Sequence, residues 1–196
     1  MNKKENILIA VTGKGSSGKT EFCRGLMKHL PDSRIFFLDG YYHDIKKRRK
    51  KGLTGAHPES LEKDALLRDL KKIKDGLYFK KLTSDVSLED NKKDYVPGKY
   101  NLIDGLSALL VPDIGVYDLI IFIECGDKIQ LNRRFNRDVK LRNRPKKEIM
   151  PVFKKREGQF NEFVLPKKKF SDIILDSDEN YKLTYVKTPD IKQYPE

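Results

Sequence analysis

The stretch "ILIAVTGKGSSGKT" at 7–20 constrains the fold more than any other part of the chain. Its apolar run leads into Gly13-Lys14-Gly15-Ser16-Ser17-Gly18-Lys19-Thr20, which satisfies G-x-x-x-x-G-K-[ST]. Phe22, Leu26 and Leu30 then recur at helical spacing until Pro31 ends the helix. A buried strand, a glycine-rich loop and an amphipathic helix, in that order, make a phosphate-binding turn. The glycines let backbone N–H groups face a polyphosphate, and the helix N-terminus adds partial positive charge. Lys19 can reach the β- and γ-phosphates, and the Thr20 hydroxyl can ligate Mg²⁺.

The alternation of strand and helix continues. "RIFFL" (34–38), "YNLI" (100–103), "LIIFIE" (119–124) and "DIIL" (172–175) read as further buried strands, and "YKLTYV" (181–186) as a short edge strand or tail. Segments 59–77, 128–142 and 146–163 read as helices, the second with Leu131, Phe135 and Val139 inward. Near-continuous apolar strands separated by helices predict an α/β fold of three layers. Its centre is a mostly parallel, five-stranded sheet, with a helical lid over 128–165. Residues 1–196 are expected to form a single domain without repeats or linkers. "KKRRKK" (46–51) and "TSDVSLEDNKKD" (83–94) read as exposed loops.

With 38% hydrophobic residues, including ten Phe and nine Tyr, the chain can bury a core despite being 36% charged. Its net charge of +12 favours a polyanionic partner: nucleic acid, a membrane surface or nucleotide phosphates. The lysines are scattered and no aromatic-basic motif or reading helix is visible, so nucleic acid is not expected as the main partner. Cys23 and Cys125 show no metal or disulfide spacing and read as reduced core residues. "MNKKENILIAV" lacks a signal-peptide core, and "LIIFI" (119–123) is too short to span a bilayer. A cytoplasmic protein without membrane contact is expected.

Carboxylates follow three apolar runs: Asp39, Asp104 and Glu124. An open parallel sheet binds ligands at these strand ends. Asp39 and Asp104 each precede a glycine, so each also has an ordinary turn reading. Beside a phosphate loop, a phosphoryl transferase needs a carboxylate for the acceptor hydroxyl's proton and another to support Mg²⁺. In "RRFNRDVKLRNR", Arg133, Arg137, Lys140 and Arg144 form one helical stripe. It is either a solvated basic face or a lid over phosphates, and its use of arginine rather than lysine suits bidentate phosphate contact. A motor or ATPase would want a coupling domain for which the chain has little room, so a compact acceptor kinase fits better.

The ordered set "GKGSSGKT", "FLDGYYHD", "AHPESLEKDALLRDLKKIKDG", "NLIDGLSAL", "IFIECGDKIQLNRRFNRDVKLRNR" and "FVLPKKKFSDIIL" resembles the uridine kinase and phosphoribulokinase-like family of P-loop kinases. The resemblance implies ATP as donor, Mg²⁺ as cofactor and a small hydroxyl-bearing acceptor, first of all the 5′-hydroxyl of a nucleoside such as uridine or cytidine. By the same resemblance Asp39 is the general base and acts with Lys19. Tyr42 and His57 line the acceptor site, and Thr20 and Asp104 serve Mg²⁺, Asp104 standing where the family usually has glutamate. Arg137, Arg142 and Arg144 contact phosphates and Arg134 the acceptor. The helical stripe selects Arg133 where the motif selects Arg134; the motif is followed here.

The sequence also departs from that pattern. Ala56 occupies the position before His-Pro where uridine kinases carry an aspartate that holds the ribose hydroxyls. The family's pyrimidine-reading Tyr-Asp…His-x-Arg hairpin has no counterpart between Leu77 and Val96. A ribose-like or pantothenate-like alcohol therefore remains open as acceptor. So do a non-catalytic nucleotide-binding module and a nucleic-acid-associated ATPase. Homo-oligomers are common in such kinases and stay open as well.

Overall fold

The computed structural model describes residues 6–83, 93–140 and 145–187. Arg142, Arg144 and most of the polar stretch 83–94 lie outside them. Strands β1 (Ile7–Gly13), β2 (Ser33–Phe37), β5 (Tyr100–Asp104), β6 (Leu119–Glu124), β7 (Ile173–Ser177) and β8 (Leu183–Lys187) form one sheet in the order β2-β5-β1-β6-β7-β8. All neighbouring pairs are parallel except β7–β8. The sheet thus has six strands rather than five, because "YKLTYV" does pair, as an antiparallel edge. Two-residue strands β3 (Phe79–Lys80) and β4 (Asp94–Tyr95) form a separate small ladder.

Alternation along the strands builds the layers. Leu8, Ala10, Phe36, Ile103 and Phe122 share one core with Leu66, Leu70 and Ile73 of helix α3 (Lys63–Lys74). Ile9, Val11, Leu102, Ile121 and Ile123 face the other way, onto Phe22, Cys23 and Leu26 of α1 (Lys19–Met27). Both cysteines are buried and free. No helix among the described residues is long and apolar enough to cross a membrane.

Register sets the functional geometry. Asp104 at the end of β5 pairs with Val11 of β1 and with Phe37 of β2. The ends of three adjacent strands therefore deliver the phosphate loop, Asp104 and Asp39 to one edge.

Two further elements differ from the sequence reading. The basic run 46–51 is mostly helix α2 (Ile45–Lys50), because Asp44 caps it by accepting the Lys46 and Lys47 N–H groups. In helix α4 (Asp127–Lys140) the buried residues are Gln130, Arg134 and Asp138, whereas Leu131, Phe135 and Val139 are only half-buried. The reason is what covers the helix. Its inner face meets α5 (Lys146–Gln159), where the Gln130 amide donates to Glu157 Oε1 at 2.8 Å and Arg134 lies 5.6 Å from the Phe153 ring.

Candidate functional site

A cleft of ≈ 990 Å³ opens along the C-terminal ends of β1, β2 and β5. The loop beneath it requires glycine: Gly13 has φ 125°, and a Cβ there would stand 2.0 Å from the Ile123 carbonyl oxygen. Gly18, left-handed at φ 98°, caps α1. Lys19 is buried and curls across the loop, donating to the carbonyls of Lys14 at 2.6 Å and Gly13 at 3.3 Å. Burial lowers its pKa, and the Asp104 carboxylate opposes that shift. The Lys14 side chain instead ties the loop to helices α4 and α5, hydrogen-bonding Asp127 and approaching Glu157 at 4.0 Å.

Thr20 lies one residue beyond Lys19, and its hydroxyl donates to Asp104 Oδ2 at 2.5 Å. Mg²⁺ prefers hard oxygen ligands and is commonly held by one or two carboxylates plus substrate phosphates. This hydroxyl–carboxylate pair has the right chemistry for it. Among the described residues no cluster of three His, Cys, Asp or Glu offers an all-protein metal cage.

Asp39 is exposed on the cleft wall, in a 3-10 turn over Leu38–Tyr41 rather than on the strand itself. Gly40 follows because the chain passes close: a Cβ would lie 2.1 Å from the Leu82 carbonyl oxygen. Tyr42 lines the wall beside it, its hydroxyl 2.7 Å from Ser107 Oγ. Burial, with Asp39 adding to it, pushes the Tyr42 phenol up to about 12, so it stays neutral near physiological pH.

Cations cover the cleft. Arg133 donates to the Ser16 carbonyl at 3.3 Å and to Ser177 Oγ at 3.2 Å, and stacks 3.6 Å from the Tyr181 ring centroid. Arg137, whose Nε donates to Asp138 Oδ1 at 3.0 Å, and Lys140 line the same wall. Arg48 from α2 and Arg156 from α5 close the side nearest Tyr42.

The cleft brings together Gly15, Ser16, Gly18, Lys19, Thr20, Asp39, Tyr42, Asp104 and Arg137. Gly13, Lys14 and Ser17 complete the loop behind it. Arg134 does not reach the cleft: it is 1% exposed and pairs with Asp138 at 3.5 Å. The helical stripe, which selected Arg133, describes the lining better than the motif did. His57 is also absent from the lining; it caps the turn Pro58–Ser60 by accepting the Glu59 N–H and packs 4.6 Å from Phe163. Glu124 is engaged by Lys168 at 2.5 Å. Sequence reasoning missed Arg48 and Arg156. Arg48 hid in a lysine-rich run, and Arg156 has no motif around it.

The sequence model described as "Phosphoribulokinase / Uridine kinase family" matches residues 8–183. The chain is 26% identical to a uridine kinase of Ligilactobacillus salivarius over 189 residues, covering 89% of this chain and 88% of that protein. It is 27% identical to "Uridine kinase-like protein 5" of Arabidopsis thaliana, covering 88% of this chain but spanning only 39% of the plant protein's length. Among solved structures, phosphoribulokinase from Rhodobacter spheroides superposes with a TM-score of 0.65 at 16% identity, over 88% of this chain and 70% of that one, a likeness of fold.

Proposed function

Because the chain belongs to the phosphoribulokinase and uridine kinase family, we propose that it passes the γ-phosphoryl group of Mg·ATP to a hydroxyl aimed by Asp39. The observation that carries this reading is the strand register, which sets Asp39, the Thr20–Asp104 pair and the phosphate loop around one cleft. The acceptor oxygen bonds to the γ-phosphorus while the bond to the bridging oxygen breaks and ADP leaves. Asp39 takes the hydroxyl proton. Lys19 and the loop N–H groups hold the β- and γ-phosphates, and Arg137 closes from the lid. Thr20 and Asp104 would hold Mg²⁺, which would supply neutralisation of phosphate charge. Positioning and electrostatics supply most of the acceleration in such transfers. The free Cys23 and Cys125 support a cytoplasmic setting.

The relatives' names make a nucleoside 5′-hydroxyl the first acceptor to test. A second reading, a ribose-like or pantothenate-like alcohol, is favoured by Ala56. It is fully buried, its N–H bonded to Thr54 Oγ1 at 3.2 Å, and it offers nothing to a ribose diol.

The test is acceptor-dependent ADP release from Mg·ATP by wild type and Asp39→Asn, with ATP affinity measured alongside. The variant should bind ATP nearly as wild type does and lose transfer by about two orders of magnitude or more. Equal turnover by the two proteins would remove Asp39 from its role. ATP binding with no turnover on any acceptor would favour the non-catalytic reading.

A further inference from the structure

The wall facing Tyr42 carries more positive charge than a neutral acceptor requires. Arg48 and Arg49 come from α2, and Lys155 and Arg156 from α5, and all four line the cleft. Among the described residues none of the four forms an ion pair. Lys14, Lys168 and Arg137, which are half-buried, each have a carboxylate partner: Asp127, Glu124 and Asp138.

Two of the four are held in place. Arg48 sits 5.1 Å from the Tyr42 ring centroid, and its Nε donates to the His43 carbonyl at 2.8 Å. Arg156 is half-buried, and its Nε is sealed from solvent with no hydrogen-bond partner. A Cβ on Gly15 would lie 4.0 Å from Arg156 Nη1, so this guanidinium stands beside the phosphate loop. Burial lowers the pKa of both arginines, and Asp39 is among the groups that hold it up. Desolvating a guanidinium without a counter-charge is costly, and an incoming anion would relieve that cost.

The cleft is also closed at this end by a hydrogen-bonded strap. The Thr54 N–H donates to Gln159 Oε1 at 2.8 Å, and the Gln159 amide donates to the Gly52 carbonyl at 3.0 Å. The loop after α2 and the lid helix α5 are thereby joined, so Arg48 and Arg156 face the same space. Gly52, Leu53, Thr54 and Gly55 line that end, and they add no carboxylate.

We propose that the acceptor is itself an anion: an alcohol bearing a carboxylate or a phosphate, gripped by Arg48 and Arg156 while its hydroxyl faces Asp39. The guanidinium fork binds either group in bidentate fashion. This deepens the kinase reading and rests on it. It also accounts for Ala56, since an acceptor anchored by its charge needs no carboxylate for a ribose diol.

The test is ADP release from Mg·ATP with matched acceptors: uridine, ribose and ribose 5-phosphate, pantothenol and pantothenate, glycerol and glycerate. Turnover confined to the charged members is expected; the phosphate and carboxylate arms then name the anchor. In Arg48→Gln and Arg156→Gln the KM for that acceptor should rise roughly tenfold to a hundredfold, the scale of a lost charge-assisted hydrogen bond, with little change in the KM for ATP. Arg156→Lys should restore part of the loss. Uridine, ribose or another neutral member turning over as well as the charged ones would overturn the proposal and leave the kinase reading standing. So would a KM increase for ATP instead of the acceptor. No turnover on any member would overturn the kinase reading and this proposal with it.

Discussion

Lys81 is 5% exposed, its ammonium 5.8 Å from the Phe36 ring centroid. Burial brings its pKa down from 10.5 to about 8. Below about 8 both folded and unfolded chains are protonated at this site, and its titration adds no pH dependence. Between about 8 and 10.5 the unfolded chain binds more protons, so this site makes stability rise with pH. Across that window the stability of wild type should therefore climb more steeply with pH than that of Lys81→Met. Urea unfolding of both proteins at several pH values would reveal it; a constant difference would mean Lys81 is not desolvated. Nothing in "LYFKKLTSDVSLED" marked this lysine as different from its neighbours. The glycines of the phosphate loop, by contrast, were legible, because Gly13 and Gly18 adopt positive φ that the motif's spacing anticipates. Asp39 was legible as a carboxylate after an apolar run, but its 3-10 turn was not. That turn depends on the close passage of Leu82 past Gly40, a contact between distant parts of the chain.

Helix α4 shows what periodicity reveals and what it leaves out. The spacing correctly grouped Arg133, Arg137 and Lys140 on one face, and that face lines the cleft. It did not reveal that α5 covers a polar face. There Arg134 and Asp138 are 1% and 2% exposed at the side chain and 3.5 Å apart. Removing one member of a buried pair strands the other charge, which costs about 3–5 kcal/mol. Asp138→Ala should lower stability by that amount in urea denaturation, and a loss under about 1 kcal/mol would show that the lid does not depend on the pair. Helix α2 carries the complementary lesson. Its six residues are nearly all basic and show no apolar period, so only the Asp44 cap distinguishes it from a loop. The short β3–β4 ladder is equally silent, since two residues cannot display an alternation.

At the scale of the molecule, most of the architecture was readable, because a parallel sheet covered on both faces leaves long apolar runs separated by helices. Strand order was not readable from those runs. Yet order and register make the site, by placing Asp104 beside both Val11 and Phe37. The net charge of +12 belongs to this scale too. Part of it gathers in the cleft, where donor phosphates and an anionic acceptor would each meet cations. The most direct measurement is phosphorus NMR of wild-type protein with Mg·ATP and the matched acceptors. A new phosphomonoester resonance should grow in step with ADP, and only when an acceptor is present. Growth of inorganic phosphate in its place, with no phosphomonoester, would contradict transfer to an alcohol and leave a hydrolase.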